Sequence, residues 1–231
     1  MAPKVLVVLT SFGYIEAAKM PTGWYLPELA HPYDVLTEAG VEIVTASPKG
    51  GVAPLDPASV ERFKEDASAQ AFLRDKKAVW EKTQPLSSFK GRADEFEALF
   101  YPGGQGPMFD LVDDADSIAL IEEFSAKKKP VAAVCHGPIV LVNAKRIDGK
   151  PLLAGKEATG FSNVEEDIAG TTKVMPFSLE DRIRAVGGNY RKADQPLAEL
   201  VVVQDEGRLI TGQNPASAKG VGEAILKAIS A

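Results

Sequence analysis

The chain has one cysteine and two histidines among its 231 residues. One cysteine cannot form an internal disulfide, which excludes a disulfide scaffold and fits a reducing compartment, so the expected location is the cytoplasm. With so few thiols and imidazoles, and with neither HExxH nor CxxC, a classical zinc site is not expected. There is no excess of positive charge. The formal charge is −6, and Lys127-Lys128-Lys129 is the only basic run. That argues against nucleic acid and against an anionic membrane surface as partners, and the lysines read as a solvated helix end. Long apolar runs are missing too. Residues 5–9, VLVVL, are too short and too soon followed by polar residues for a signal peptide or a membrane span. The GxGxxG and Walker A spacings of common phosphate cradles are absent. So are internal repeats and low-complexity linkers, and the chain reads as one domain over residues 1–231.

What is present is an alternation of strand and helix patterns. Residues 5–9 form an apolar, β-branched run suited to a strand buried on both faces. A helix is expected over residues 23–39, irregular at its start because of Pro27 and Pro32 and stopped by Gly40. A second strand follows over residues 41–46. The third strand, residues 96–101, ends in Pro102-Gly103-Gly104-Gln105-Gly106. Residues 113–128 form a helix and residues 130–134 the fourth strand. A helix is expected from Gly137 to about Lys145. Residues 157–161 form a short strand leading into Ser162 to Asp167, and residues 179–186 a helix that Gly187-Gly188 ends. Residues 200–203 and 209–210 flank Asp205-Glu206-Gly207 as a hairpin. A terminal helix carries Val221, Ala224, Ile225 and Ile229 at helical spacing. The alternation implies an α/β fold with a mostly parallel sheet and helices on both faces. Residues 54–90 break the alternation and read as a helical insertion, suited either to covering a pocket or to decorating the surface.

In open sheets of this kind, sites form at the carboxyl ends of strands. Four notable segments fall there: the loop after Leu9, Gly103 to Gly106, Cys135-His136, and Gly160 to Glu166. The lone cysteine sits in Val131-Ala132-Ala133-Val134-Cys135-His136-Gly137-Pro138. An apolar strand that ends in a thiol and then Gly-Pro has the shape of a nucleophile elbow, with a helix N-terminus beneath the sulfur. That setting favours a thiolate, so a depressed thiol pKa is expected. The structural alternative is a small buried apolar residue. His136 is adjacent in sequence, so its ring can point away, bonding backbone at the helix start, or lie beside the thiol, where it would need a carboxylate to hold its tautomer. Glu165, Glu166 and Asp167 lie on a loop at the same edge, and spacing alone does not choose among them. Gly103-Gly104-Gln105-Gly106 lets backbone N–H groups approach a ligand and, with the His136 N–H, suits an oxyanion hole.

Ala133-Val134-Cys135-His136-Gly137-Pro138 resembles the nucleophile elbow of the ThiJ/PfpI superfamily, whose flavodoxin-like fold is that of class I glutamine amidotransferases. The branch most similar is the heat-shock chaperone-like one that includes the glutathione-independent glyoxalases, glyoxalase III. Further similarity lies in Leu9-Thr10-Ser11, in Gly23 through Glu28 to His31-Pro32, in Pro102-Gly103-Gly104, in Thr159-Gly160-Phe161-Ser162 to Glu165-Glu166, and in Ile210-Thr211-Gly212 to Asn214-Pro215-Ala216-Ser217. The resemblance implies Cys135 as nucleophile, His136 as triad histidine, Glu166 as triad acid with Glu165 as fallback, and Glu28 as a glutamate beside the nucleophile. It further implies Gly104 and the His136 amide as oxyanion hole, Gly103 and Gln105 at the substrate pocket, and a structural role for His31. The activity it implies is conversion of methylglyoxal or glyoxal to lactate or glycolate through a hemithioacetal, without metal or cofactor, in a homodimer. A carboxylate next to a thiolate is repulsive, so Glu28 is expected to be protonated when the thiol is ionised. Gln105 departs from the branch, where Gly-Gly-His-Gly or Ala-Gly-His-Gly is common, and it cannot carry a proton as histidine does. Two other readings fit the same residues: a hydrolase or hydratase of another small electrophile, and a stress chaperone or redox sensor in which Cys135 is oxidised.

Overall fold

The computed structural model describes residues 2–230. Met1 and Ala231, the ends of the expected domain, lie outside the described residues. Strand β1 (Lys4–Val8) and helix α1 (Leu26–Glu38) lead into β2 (Glu42–Ser47). Three short helices follow, α2 (Pro57–Arg62), α3 (Ala67–Asp75) and α4 (Ala78–Glu81), and then a two-residue strand β3 (Gln84–Pro85). Next come β4 (Ala98–Tyr101), α5 (Ala115–Ala126) and β5 (Val131–Val134). Helices α6 (Asn163–Ala169) and α7 (Leu179–Ala185) precede the hairpin of β6 (Val201–Gln204) and β7 (Leu209–Gly212), and α8 (Ala218–Ile229) closes the chain.

The seven strands form one sheet in the order β6-β7-β5-β4-β1-β2-β3, and only the β6/β7 pair is antiparallel. In β1 and β5 the apolar runs are buried on both faces, as a parallel sheet covered by helices requires. From β1 the chain winds outward through β2 and β3, then returns to the other side of β1 at β4. This reversal opens a crevice at the carboxyl ends of β1, β4 and β5.

Several expectations shift in detail. The helix anticipated from Gly137 to about Lys145 is instead a single 3₁₀ stretch, Gly137–Leu141. Its residues are buried on every side, which leaves no amphipathic stripe to propagate an α-helix. Residues 163–169, read as a loop, are helix α6, because Ser162 and Glu165 form a capping box. The short strand at 157–161 contracts to Glu157–Ala158 and pairs with Asn189–Tyr190 outside the main sheet.

Helices α1 and α8 pack against each other over the sheet. In α8 the residues Ala218, Val221, Gly222 and Ile225 form the buried stripe. Pro32, inside α1, has no N–H for the helical ladder, and its ring side is where Gly222 makes its closest approach. A Cβ on Gly222 would lie 2.8 Å from the Pro32 Cα. Gly222→Ala is therefore expected to lower stability. Overpacking of about 1–3 kcal/mol outweighs the ~1 kcal/mol that alanine adds to helix propensity. The urea midpoint measures this, and an unchanged or raised midpoint would show that the two helices separate without penalty.

Candidate active site

Strand β5 ends at Cys135, whose backbone turns into the left-handed region at φ 61°. Its N–H donates to the Gly212 carbonyl at 3.0 Å, and its carbonyl accepts from the Phe161 N–H at 2.8 Å. Gly137 makes the next step possible, since a Cβ there would meet the Tyr101 carbonyl at 2.5 Å. The result is a sharp turn that presents the sulfur at the carboxyl edge of the sheet.

His136 folds back beside it. The Cys135 Sγ lies 3.4 Å from His136 Nδ1, and His136 Nε2 lies 2.8 Å from Glu166 Oε2. A carboxylate only accepts, so Nε2 carries the hydrogen and Nδ1 is left to accept the thiol proton. The other Glu166 oxygen accepts from the Thr171 hydroxyl. Burial pushes the Glu166 carboxyl up, but the His136 charge and the hydrogen bonds from His136 and Thr171 outweigh it and hold the group below its ordinary range. Phe161 packs on the imidazole with ring centroids 4.6 Å apart.

Glu165 is neighbour to Glu166 in sequence and differs from it in surroundings. It is fully buried and accepts four hydrogen bonds. These come from the Ser162 N–H and hydroxyl, both at 2.8 Å, the Leu197 N–H at 2.9 Å and the Asn214 amide at 2.8 Å. It ties helix α6 to two loops and has no bond to His136.

Glu28, from the first turn of α1, is completely buried. Its Oε2 accepts from the Gly103 N–H at 2.7 Å, while Oε1 has no partner among the described residues. The carboxyl lies beside the Cys135 thiol. Burial raises Glu28 to about 8, against an ordinary 4.5, so it carries a proton at neutral pH. Burial also raises the thiol, and the neighbouring Glu28 and the Glu165 and Glu166 charges push the same way. The expectation of a depressed thiol pKa is thus reversed. The helix beneath the sulfur is too short to offset desolvation, and the nearest carboxyls oppose a second negative charge.

The thiol opens into a cleft of about 780 Å³. Gly104, Gln105, Cys135 and His136 line it, and α2 contributes Pro57, Ala58 and Arg62 to its wall. Gly104 has φ 79°, a conformation for glycine, and a Cβ there would overlap the Gly23 carbonyl at 2.1 Å. The His136 backbone N–H has no acceptor among the described residues. Gly103, expected at the substrate pocket, is not on the cleft wall; its N–H is occupied by Glu28, and the space a Cβ would take is filled. His31 lies outside the cleft, where its Nε2 meets Asp66 Oδ2 at 2.8 Å and joins α1 to the start of α3.

A model of the DJ-1/PfpI family matches residues 22–228. The chain belongs to the DJ-1/PfpI family. It is 32% identical to glutathione-independent glyoxalase HSP31 of Saccharomyces cerevisiae, with 94% of each chain covered. Among solved structures, the Rapid Encystment Protein 24 KDa of Francisella tularensis superposes with a TM-score of 0.90 at 34% identity, covering 98% of this chain and 99% of that one. Glyoxalase III of Candida albicans superposes with a TM-score of 0.87 at 28% identity, covering 98% and 97%.

Sequence reasoning did not find Thr171, Tyr25 or Arg62. For Thr171 the available signal was Gly170, whose left-handed turn ends α6 and folds the next residue back onto Glu166. Tyr25 and Arg62 reach the cleft only through tertiary packing of α1 and α2, which no local pattern announces.

Two outcomes follow from these carboxyls. In the fold Glu28 keeps its proton to about pH 8, whereas the unfolded chain releases it near 4.5. Between those values the native state binds the extra proton, so stability falls as pH rises. Wild-type protein should therefore lose stability relative to Glu28→Gln between about pH 5 and pH 8, and parallel denaturation profiles across that window would contradict the assignment. Glu165→Gln should be destabilising by about 1–3 kcal/mol, because its new amide would face hydrogen-bond donors where an oxygen now accepts. Thermal unfolding of the purified variant provides the check.

Proposed function

We propose that this protein is a glutathione-independent glyoxalase that converts methylglyoxal or glyoxal to lactate or glycolate. Membership of the family and the glyoxalases among its relatives support the reading. The observation that carries it is that two separate proton carriers serve one thiol. His136 lies 3.4 Å from the sulfur, and Glu28 stands beside it with a free oxygen. A thiol hydrolase needs only the first. Moving a proton between adjacent carbons while the thiol proton is held elsewhere needs both.

In this mechanism Cys135 gives its proton to His136 Nδ1, and Glu166 stabilises the imidazolium. Sulfur adds to the aldehyde carbon, and the resulting oxyanion faces the N–H groups of His136 and Gly104. Protonated Glu28 neutralises that oxygen, giving the hemithioacetal and leaving Glu28 ionised. Ionised Glu28 then removes the hydrogen from the former aldehyde carbon, and His136 protonates the ketone oxygen, forming an enediol. Glu28 returns its proton to the second carbon as the first hydroxyl gives its own back to His136, which leaves a 2-hydroxy thioester. Water cleaves the C–S bond: its hydroxyl goes to the acyl carbon and its remaining proton to Glu28, His136 returns its proton to sulfur, and the 2-hydroxy acid departs. One carbon is oxidised, its neighbour is reduced, and one water is consumed, so no external oxidant or reductant enters. A group with its pKa near 8 serves as acid in one step and base in the next close to neutral pH. The reduced thiol this chemistry requires suits a cytoplasmic setting, and the family resemblance carries the expectation of a homodimer.

Cys135→Ala should abolish lactate formation from methylglyoxal in the absence of glutathione while the protein stays folded. Activity surviving per folded molecule would refute the nucleophile assignment. Glu28→Gln should lower kcat by ~10²–10⁴-fold and end solvent deuterium incorporation at the carbinol carbon. Glu166→Gln should retain part of that incorporation, since the base survives although His136 is misoriented. The reverse pattern would transfer the carbon-bound proton to His136 and reduce Glu28 to tuning the thiol.

A further inference from the structure

A three-carbon dicarbonyl fills only a small part of the cleft. At about 780 Å³ it is nearer the size that encloses a drug-sized ligand, roughly 300–1,000 Å³, than that of a molecule with five heavy atoms. Most of the additional wall is apolar, including Phe63, Phe161, Ile168, Leu197 and Pro215. One residue stands apart. Arg62, the last residue of α2, is the only lysine or arginine lining the cleft.

Two of the nearby carboxylates are engaged with other partners. Glu61 pairs with Lys64 at 2.6 Å, and Asp66 pairs with His31 at 2.8 Å. Asp56 caps α2 by accepting from the Ala58 N–H at 2.8 Å; it also lines the cleft, and its carboxyl feels the Arg62 charge and offsets part of it. The Arg62 side chain has no hydrogen-bond or short ion-pair partner among the described residues, and its charge is felt by Asp56 and Tyr25. The Tyr25 hydroxyl, also on the cleft wall, feels the charge of Arg62 together with Cys135, Glu28 and Asp56. The cleft thus combines a thiol, a largely apolar wall and a planar cation with its donors unoccupied, a combination that suits a ligand carrying a carboxylate or phosphate.

We infer that the cleft takes 2-oxoaldehydes carrying an anionic group at the far end of a short carbon chain, with Arg62 as the residue that selects them. This inference rests on the glyoxalase reading and names its substrate class. The chemistry at the dicarbonyl is unchanged: aldehyde carbon becomes carboxylate, ketone carbon becomes carbinol, and one water is added. A terminal carboxylate or phosphate takes no part in the reaction and contributes through binding.

The test compares two substrates of equal chain length, 4,5-dioxopentanoate, which would give 2-hydroxyglutarate, and neutral 2-oxopentanal. Each is assayed with wild-type protein, Arg62→Gln and Arg62→Lys, with methylglyoxal run in parallel and folding checked by circular dichroism. Wild-type kcat/KM should favour the anionic substrate by about tenfold, chiefly through KM, as expected for a partly exposed charge pair. Added salt should shrink that ratio. Arg62→Gln should bring it near one, and Arg62→Lys should retain part of it. A wild-type ratio at or below one with methylglyoxal still consumed overturns the anion selectivity alone. So does a ratio that Arg62→Gln leaves unchanged. Failure of folded wild-type protein to consume any of the three overturns the glyoxalase reading, and the inference falls with it.

Discussion

A cysteine at φ 61° sits in a backbone region that L-residues avoid, at a local penalty of about 1–2 kcal/mol, so its surroundings have to over-determine it. They do so from three directions. The Gly212 carbonyl at the end of β7 holds its N–H, the Phe161 N–H holds its carbonyl, and close-packed glycines leave no room for another path. A Cβ at Gly137 would meet the Tyr101 carbonyl, one at Gly160 the Cys135 carbonyl itself, and one at Gly103 the Val134 carbonyl and the His136 N–H. The geometry of the sulfur is thus set by the ends of β4, β5 and β7 together. The rest of the cleft takes its position from that turn.

The same burial that fixes the turn decides the resting charge. A dry site with several carboxyls nearby cannot hold a free thiolate cheaply, and the structure resolves this by keeping Cys135 and Glu28 protonated together. The negative charge that remains is placed where it has partners: Glu166 against His136 and Thr171, Glu165 against four donors. In the proposed mechanism a reactive thiolate exists only while His136 holds its proton, which would couple activation of the sulfur to the presence of an electrophile in the cleft.

Much of this was legible in the sequence. Buried parallel strands announce themselves as unbroken apolar runs, and 131–134 ending in Cys-His-Gly-Pro marked the elbow. The hairpin was marked by Asp205-Glu206-Gly207, and the closing helix by its spacing. What was not legible depended on contacts between distant segments. Glu28 is an ordinary residue in the first turn of a helix until α1 docks it under Gly103. The thiol pKa is not legible locally, because Gly-Pro announces a helix N-terminus, while the carboxyls that oppose it come from α1 and α6 and the desolvation from tertiary packing. The helix at 163–169 could have been read from Ser162-Asn163-Val164-Glu165, which has the capping-box spacing.

That capping box also explains how adjacent glutamates come to have different surroundings. Successive residues on an α-helix point about 100° apart, since one turn takes 3.6 residues. Once Glu165 is fixed as the third residue of α6 by its reciprocal bonds with Ser162, its side chain must turn toward the helix start, and there it meets Leu197 and Asn214. Glu166 is then rotated onto the face that overlies His136, and the left-handed turn at Gly170 brings Thr171 back to hold its second oxygen. A register shift of one residue would exchange the two environments, placing the four-donor cage around the residue that has to support a developing imidazolium. The cap at Ser162 therefore sets which carboxylate faces the histidine, and a local rule about helix starts fixes the geometry of the Cys135–His136–Glu166 chain.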